Sequence, residues 1–229
     1  MKKLQEKLEF LLDKYAVSTK AELLSEKEAL INGEKVRLLP WRAERRFIEL
    51  RNLITQNRLT GLSTVRITHI TNRGTDLYSL LWREAEIFEY ISCEKLCEIF
   101  AVENSSVALN AIAKSENGIV CSFELSATLP EGQPAIDKHE MIAVSGNACD
   151  RVVDTQVPQS SIYMFGDDNA VYTDVDAELY GLNIDECAIV RHAFDIAQNG
   201  TETNSAAEHI DAVVKAAHLA VEAVDNVRI

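Results

Sequence analysis

Residues 106–130, SVALNAIAKSENGIVCSFELSATLP, alternate apolar and polar side chains on either side of the turn Glu116-Asn117-Gly118. A period of two is the pattern of a strand that buries one face, and a short glycine turn between two such runs predicts a β-hairpin. Consecutive hairpins need no crossover helices, so this stretch predicts a large sheet that is mostly antiparallel. Further strands are predicted at 36–39, 62–71, 97–103, 138–145, 160–166 and 170–174, with Asp167-Asp168-Asn169 as a second hairpin turn.

Other segments carry their apolar side chains at helical spacing. They are residues 2–15, 20–31, 41–57, 77–92, 184–198 and 205–224. Strands followed by helices in this arrangement are typical of an α+β protein whose open sheet carries its helices on one face. We therefore expect an N-terminal helical segment over residues 1–35 and an α+β domain over residues 36–229.

The composition limits the classes of partner. Hydrophobic residues make up 47% and charged residues 26% of the 229 positions, which is typical of a folded globular protein. The formal net charge of −13 argues against nucleic-acid binding, because affinity for phosphates comes largely from Lys and Arg. No run approaches the roughly 18 apolar residues of a membrane span. We expect neither a nucleic acid nor a membrane as partner.

The cysteines and the first residues bear on the compartment and on metals. Five cysteines are an odd set, and the start MKKLQEKLEF lacks the apolar core of a signal peptide, so we expect a cytoplasmic protein. Cys93 and Cys97 share a helix face, but no nearby histidine or cysteine completes a zinc site. We interpret them as core thiols and expect no metal.

Four strings resemble the C-terminal domain of the Gfo/Idh/MocA oxidoreductases. They are FIELRNLITQNRLTGLSTVRI (47–67), GTDLYSLLWREAEIFEYI (74–91), the hairpin at 106–130 and HEMIAVSGNACD (139–150). This resemblance implies the substrate and oligomerisation domain of the family, whose members assemble through an open sheet. A homo-oligomer, dimer or tetramer, is therefore expected.

The resemblance covers only part of such an enzyme. Family members carry a Rossmann domain before this domain, with a GxGxxG loop whose glycines let the backbone approach the pyrophosphate. Residues 1–35 contain a single glycine, Gly33, and cannot hold that loop. The family's Glu-Lys-Pro segment is also missing, since Glu34-Lys35 is followed by Val36. We therefore expect no cofactor and no self-sufficient dehydrogenase.

The resemblance also implies a site on the helix after Gly74. There the family places an aspartate, then a histidine and a second acidic residue; this sequence has Ser79, Arg83 and Glu86 at the matching positions. An arginine stays protonated and cannot serve as the general base. Arg83 and Glu86 could simply form a surface ion pair. Alternatively, they line a ligand pocket in which Arg83 binds a carboxylate or phosphate and Trp82 forms an apolar wall.

Three functions remain open from the sequence. The first is an oligomerising protein without dehydrogenase activity that binds a sugar-like or carboxylate ligand. The second is the substrate-domain subunit of a split NAD(P)-dependent oxidoreductase, whose Rossmann domain is a separate partner protein. The third is an enzyme of another class that acts on a sugar acid or polyol. Glu84, which falls on the apolar stripe of its helix, or Glu86 would then be the base.

Overall fold

The structure is a computed structural model that describes residues 1–150, 161–165, 170–173, 178–179, 181–201 and 203–229. Its helices are α1 (Lys2–Lys14), α2 (Arg45–Thr55), α3 (Leu77–Ser92), α4 (Ile184–Asn199) and α5 (Asn204–Ala223), with a 3-10 helix at Pro40–Ala43.

The strands are β1 (Ala21–Ser25), β2 (Glu28–Ile31), β3 (Glu34–Arg37), β4 (Leu62–Asn72), β5 (Leu96–Asn104), β6 (Ala108–Ser115), β7 (Val120–Leu129), β8 (Ile136–Ala143), β9 (Gly146–Cys149), β10 (Ser161–Phe165), β11 (Ala170–Thr173) and β12 (Val227–Arg228). The chain forms two compact units. The first comprises Met1–Ile48 with Val175–Glu208, and the second comprises Glu49–Asp174 with His209–Ile229.

The first unit is built on the contact between α1 and α4. Burial of apolar surface is the main stabilising term here, because the leucines of α1 form one stripe that is shielded from solvent. Asn183 and Glu186 form a reciprocal capping box at the start of α4, and the helix ends at Gly200 in the left-handed conformation. The buried leucines of α1 are Leu4, Leu8, Leu11 and Leu12.

The helix predicted at residues 20–31 is wrong. These residues form the antiparallel hairpin β1–β2, in which Ala21 lies opposite Ile31, and β3 extends it to a three-stranded sheet. The Gln5 side chain of α1 bonds the backbone of β1 at Leu23 N–H and Ala21 C=O. The apolar positions of the segment fit either the helical period or the strand period. Pairing between its two halves satisfies the backbone hydrogen-bonding groups of both.

The second unit contains a nine-stranded sheet in the order β11-β10-β9-β8-β4-β7-β6-β5-β12. Strands β4 and β7 are parallel, and all other neighbouring strands are antiparallel. The predicted α+β class and the mostly antiparallel sheet are therefore confirmed. Strand β9 was not predicted, and the turn expected at 167–169 lies outside the described residues.

Helix α3 occupies the range predicted for it and contacts β7 and β4. The Asp76 side chain caps its first turn by accepting from the backbone N–H groups of Tyr78 and Ser79. On β4 the buried residues alternate as Val65, Ile67 and His69. A histidine thus occupies a position in the strand where an apolar side chain is expected.

Two smaller expectations have different outcomes. Helix α3 ends at Cys93, which is in the left-handed conformation and exposed, so the prediction of a core thiol is wrong for this residue. Cys97 is half-buried. Among the described residues, no helix is both long enough and apolar enough to cross a membrane.

Leu8→Ala should destabilise the first unit strongly, because Leu8 is fully buried in its core. The expected loss is about 2–5 kcal/mol in the free energy of unfolding, measured by urea denaturation. Phe10→Ala is the matched control on the same helix, since the Phe10 side chain is exposed. Its expected change is within about 0.5 kcal/mol. Equal losses for the two variants would contradict the packing described for α1.

Candidate functional site

The polar centre of the second unit is the carboxylate of Glu84 on α3, which is fully buried. Its Oε1 lies 2.7 Å from Nδ1 of His69 on β4 and also accepts a hydrogen bond from the Arg83 guanidinium. Its Oε2 lies 2.7 Å from Nε2 of His139 on β8. Donors from one helix and two adjacent strands thus converge on one carboxylate.

His139 connects Glu84 to a second acid, Asp150. The His139 Nδ1 lies 2.7 Å from Asp150 Oδ2, and the His139 backbone N–H donates to Asp150 Oδ1 at 2.6 Å. Asp150 directly follows β9, and both Asp150 and His139 are buried. Each ring nitrogen of His139 therefore faces a carboxylate oxygen, an arrangement that suits the doubly protonated imidazolium.

The protonation states follow from burial and neighbouring charge. Burial alone would lower the pKa of His139, but the charges of Asp150 and Glu84 outweigh it and raise the pKa to about 10. Burial alone would raise the pKa of Glu84, but the charge of Arg83, then that of His139, hold it well below its usual range. At neutral pH Glu84 is an anion and His139 is a cation.

Arg83 connects this buried network to the surface. Its side chain is 22% exposed, and its Nη2 lies 3.6 Å from Oδ2 of Asp137 on β8. His69 is 7% exposed, and its Nδ1 must carry the proton because an ionised carboxylate only accepts. The 3.4 Å approach of Arg83 Nη1 to the same Nδ1 joins two donors and is a contact rather than a hydrogen bond.

The residues predicted for the site lie in different environments. Ser79 is exposed in the first turn of α3, where its N–H is bonded to the Asp76 cap. The Trp82 indole donates to Asp211 of α5 at 2.6 Å. Glu86 is 1% exposed and thus part of the interior rather than of a helix surface. Of the four predicted residues, Arg83 is a member of the network around Glu84.

Glu84, which the sequence places on the apolar stripe of α3, is fully buried. The residues that sequence reasoning missed are His69, His139 and Asp150. No metal-ligand spacing joins these two histidines in the sequence, so the pattern favours packing or surface roles for them. The available signal was that both occupy inward positions of alternating strands, where an ionisable group needs a buried partner.

The network is built of hydrogen bonds and ion pairs between side chains. In the part of the chain that the structure describes, no group of three or more histidine, cysteine or acidic side chains has a geometry that could hold a metal ion. The groups that this network presents are fixed charges, the His69 imidazole and the partly exposed Arg83 side chain.

No protein-family model matches the sequence, and no curated protein matches it. Solved structures do share its fold, and they include oxidoreductases of the Gfo/Idh/MocA type. An oxidoreductase domain protein from Kribbella flavida matches with a TM-score of 0.66 and 11% identity, over 83% of this chain and 65% of the other. Apo scyllo-inositol dehydrogenase from Lactobacillus casei matches with a TM-score of 0.58 and 10% identity, over 83% and 62%.

A third match is GenD2 from gentamicin A biosynthesis in complex with NAD, with a TM-score of 0.62 and 13% identity over 83% and 62% of the two chains. This chain thus spans less than two thirds of the length of each of these structures. The resemblance predicted from the sequence is confirmed at the level of the fold. At these identities the likeness is one of fold alone, and the side chains of the site have to be judged by their own chemistry.

Asp150→Asn should change how stability depends on pH. A raised pKa means that the stabilising contribution of His139 is complete below its ordinary pKa of 6.5 and is lost as the pH rises through about 10. Removing the Asp150 charge lowers the pKa of His139 in the folded protein, so the loss should be smaller and complete at a lower pH. Free energies of unfolding from urea denaturation between pH 6 and 10 measure this shift.

The same substitution should cost about 3–5 kcal/mol at pH 7, because it breaks a buried ion pair. Glu116→Gln is the control, since it removes a carboxylate from an exposed turn of the same unit. A variant that loses stability over the same pH range as the wild type would contradict the assignment of His139 as a buried cation.

Proposed function

We propose that this chain is a ligand-binding, oligomerising protein with the fold of an oxidoreductase domain, and that its ligand is a small carboxylate such as a sugar acid. Arg83 carries this proposal, because its side chain is 22% exposed while its guanidinium bonds a fully buried carboxylate. The planar guanidinium is the side chain best suited to bidentate binding of carboxylates.

The contacts of Arg83 reduce the cost of binding. A free arginine loses rotamer freedom when it binds a ligand, whereas Glu84 already fixes one edge of this guanidinium. The same contacts argue against a self-sufficient dehydrogenase, because the group at the position of the family's histidine cannot accept a proton. Glu84 is enclosed by its donors, and of these donors His69 and Arg83 are the ones with some exposure to solvent.

Binding of D-gluconate, a sugar acid, tests the proposal. Isothermal titration calorimetry should detect a complex with the wild-type protein, and Arg83→Gln should weaken it at least about tenfold, because a charge-assisted hydrogen bond contributes about 1.5–3 kcal/mol. Arg73→Gln is the matched control, since it removes the same charge from an exposed turn of the same unit. Equal affinity in wild type and Arg83→Gln would refute the assignment of Arg83.

We also propose that the protein assembles through the face of the large sheet that points away from the buried residues. Phe100 and Ile112 lie opposite each other on β5 and β6, and Ile112 is 57% exposed. Val102 and Val120 add further exposed apolar surface on the neighbouring positions. An apolar area on an open sheet is a typical interface between identical subunits.

Ile112→Glu should therefore shift the protein toward the monomer, because it introduces a charge at the centre of this apolar area. Native mass spectrometry of the purified protein measures the number of subunits directly. Leu219→Glu is the control, since this residue is similarly exposed but lies on α5. A wild-type protein that is already monomeric at micromolar concentration would contradict the assembly.

A second candidate function is the substrate-domain subunit of a split NAD(P)-dependent oxidoreductase. The observation that favours it is that the chain spans 62–65% of the length of the matched oxidoreductases, one of which was solved with NAD. The two candidates differ in what a cofactor does. The binding protein should show no heat of binding with NAD or NADP, whereas a split enzyme should gain affinity for them once a Rossmann-domain protein is added.

A further inference from the structure

We propose that His69 and Arg83 together form a site for a 2-hydroxy acid, in which Arg83 binds the carboxylate and Nε2 of His69 accepts a hydrogen bond from the adjacent hydroxyl. This inference rests on the proposed function and deepens it. It names a second recognition residue, on β4, and narrows the ligand from any small carboxylate to one with a neighbouring hydroxyl group.

The hydrogen bond to Glu84 fixes the orientation of the His69 ring. Its Nδ1 lies 2.7 Å from an oxygen of Glu84, whose carboxylate can only accept. A neutral ring in this position therefore has its proton on Nδ1 and a lone pair on Nε2. The buried acid thus converts His69 into a hydrogen-bond acceptor that points away from Glu84.

The lone pair on Nε2 of His69 has no partner among the described residues. His69 is 7% exposed, and in the described part of the chain its Nε2 makes no hydrogen bond. Nε2 of His69 is not among the described side-chain atoms that are both sealed from solvent and unbonded, so it keeps access to solvent. A largely buried acceptor without a protein partner costs stability, and ligand sites are where such atoms are retained.

The Arg83 guanidinium and the His69 ring lie close together. The Arg83 Nη1 lies 3.4 Å from Nδ1 of His69, so the cation borders the ring whose other nitrogen, Nε2, is the acceptor. A 2-hydroxy acid carries its carboxylate and its hydroxyl on adjacent carbons and can reach both at once. Asp137 lies 3.6 Å from the other edge of the guanidinium and would repel a second ligand carboxylate, which favours a monocarboxylate.

Hydrogen bonds from buried residues hold both His69 and Arg83 in place. Glu84 bonds His69 and Arg83 through one oxygen and His139 through the other, and His139 is in turn bonded to Asp150. Two recognition groups are thus supported by three buried ones. Such support reduces the entropy that a ligand must remove on binding.

The tautomer of His69 is the first test, and it needs no ligand. Long-range proton–nitrogen correlation spectra of the ¹⁵N-labelled protein at pH 7.5 should show His69 with a protonated Nδ1 and an unprotonated Nε2. A ring protonated on Nε2 would overturn the inference, because it could not accept from a hydroxyl.

The second test compares D-gluconate with 2-deoxy-D-gluconate, which lacks the hydroxyl next to the carboxylate. The wild type should bind D-gluconate about tenfold more tightly, the effect of one hydrogen bond to a buried acceptor. His69→Asn places an amide where Nδ1 was and removes the outward acceptor, so this discrimination should disappear while the affinity for 2-deoxy-D-gluconate is kept. His218→Asn, which changes an exposed histidine of α5, should behave as the wild type.

The outcomes separate this inference from the proposed function. A wild type that binds both compounds equally, in a manner that depends on Arg83, would overturn the hydroxyl site and leave the carboxylate site standing. A wild type that binds neither compound would overturn both. His69→Asn with equally weakened binding of both compounds and a lowered melting temperature would assign His69 a structural role and overturn the inference.

Discussion

The network of the second unit is organised around the buried negative charge of Glu84. Glu84 is fully enclosed, and an isolated carboxylate in such a place would be too costly to ionise. It is ionised because donors from α3, β4 and β8 meet it, with His139 held in turn by Asp150. The same contacts tie the helix to two adjacent strands of the sheet. The packing of α3 and the charge of Glu84 therefore depend on each other.

This arrangement also accounts for the character of the site. The position at which the resemblance implies a histidine base is occupied by Arg83, which holds its proton at any physiological pH. An imidazole is nevertheless present, on β4 rather than on α3, and it contacts the arginine. Arg83 is thus a fixed cation next to an imidazole. This pair suits the recognition of an anion better than Arg83 suits the removal of a proton.

The likeness to solved oxidoreductase structures is a likeness of fold at low sequence identity. At 10–13% identity over 83% of the chain, little more than the apolar pattern can be shared, and the architecture is nonetheless reproduced. The alternation along β6 and β7 buries one face of the sheet whatever the individual residues are. Three of the inward or enclosed positions of this unit carry ionisable residues instead, namely His69, His139 and Glu84.

The sequence by itself determined the elements whose apolar period is long and regular. Helix α3 was predicted at residues 77–92 and lies there, and the hairpin at residues 106–130 forms β6 and β7. The apolar residues of the short segment at 20–31 fit both the helical period and the strand period. The segment forms a hairpin, and the Gln5 side chain of α1 bonds its first strand. Only the tertiary structure decided the site. Residues 69, 84, 139 and 150 are far apart along the chain, and they meet because β8 pairs with β4 and α3 packs over that sheet. No local pattern encodes that pairing, since strand order is set by the energy of the whole sheet.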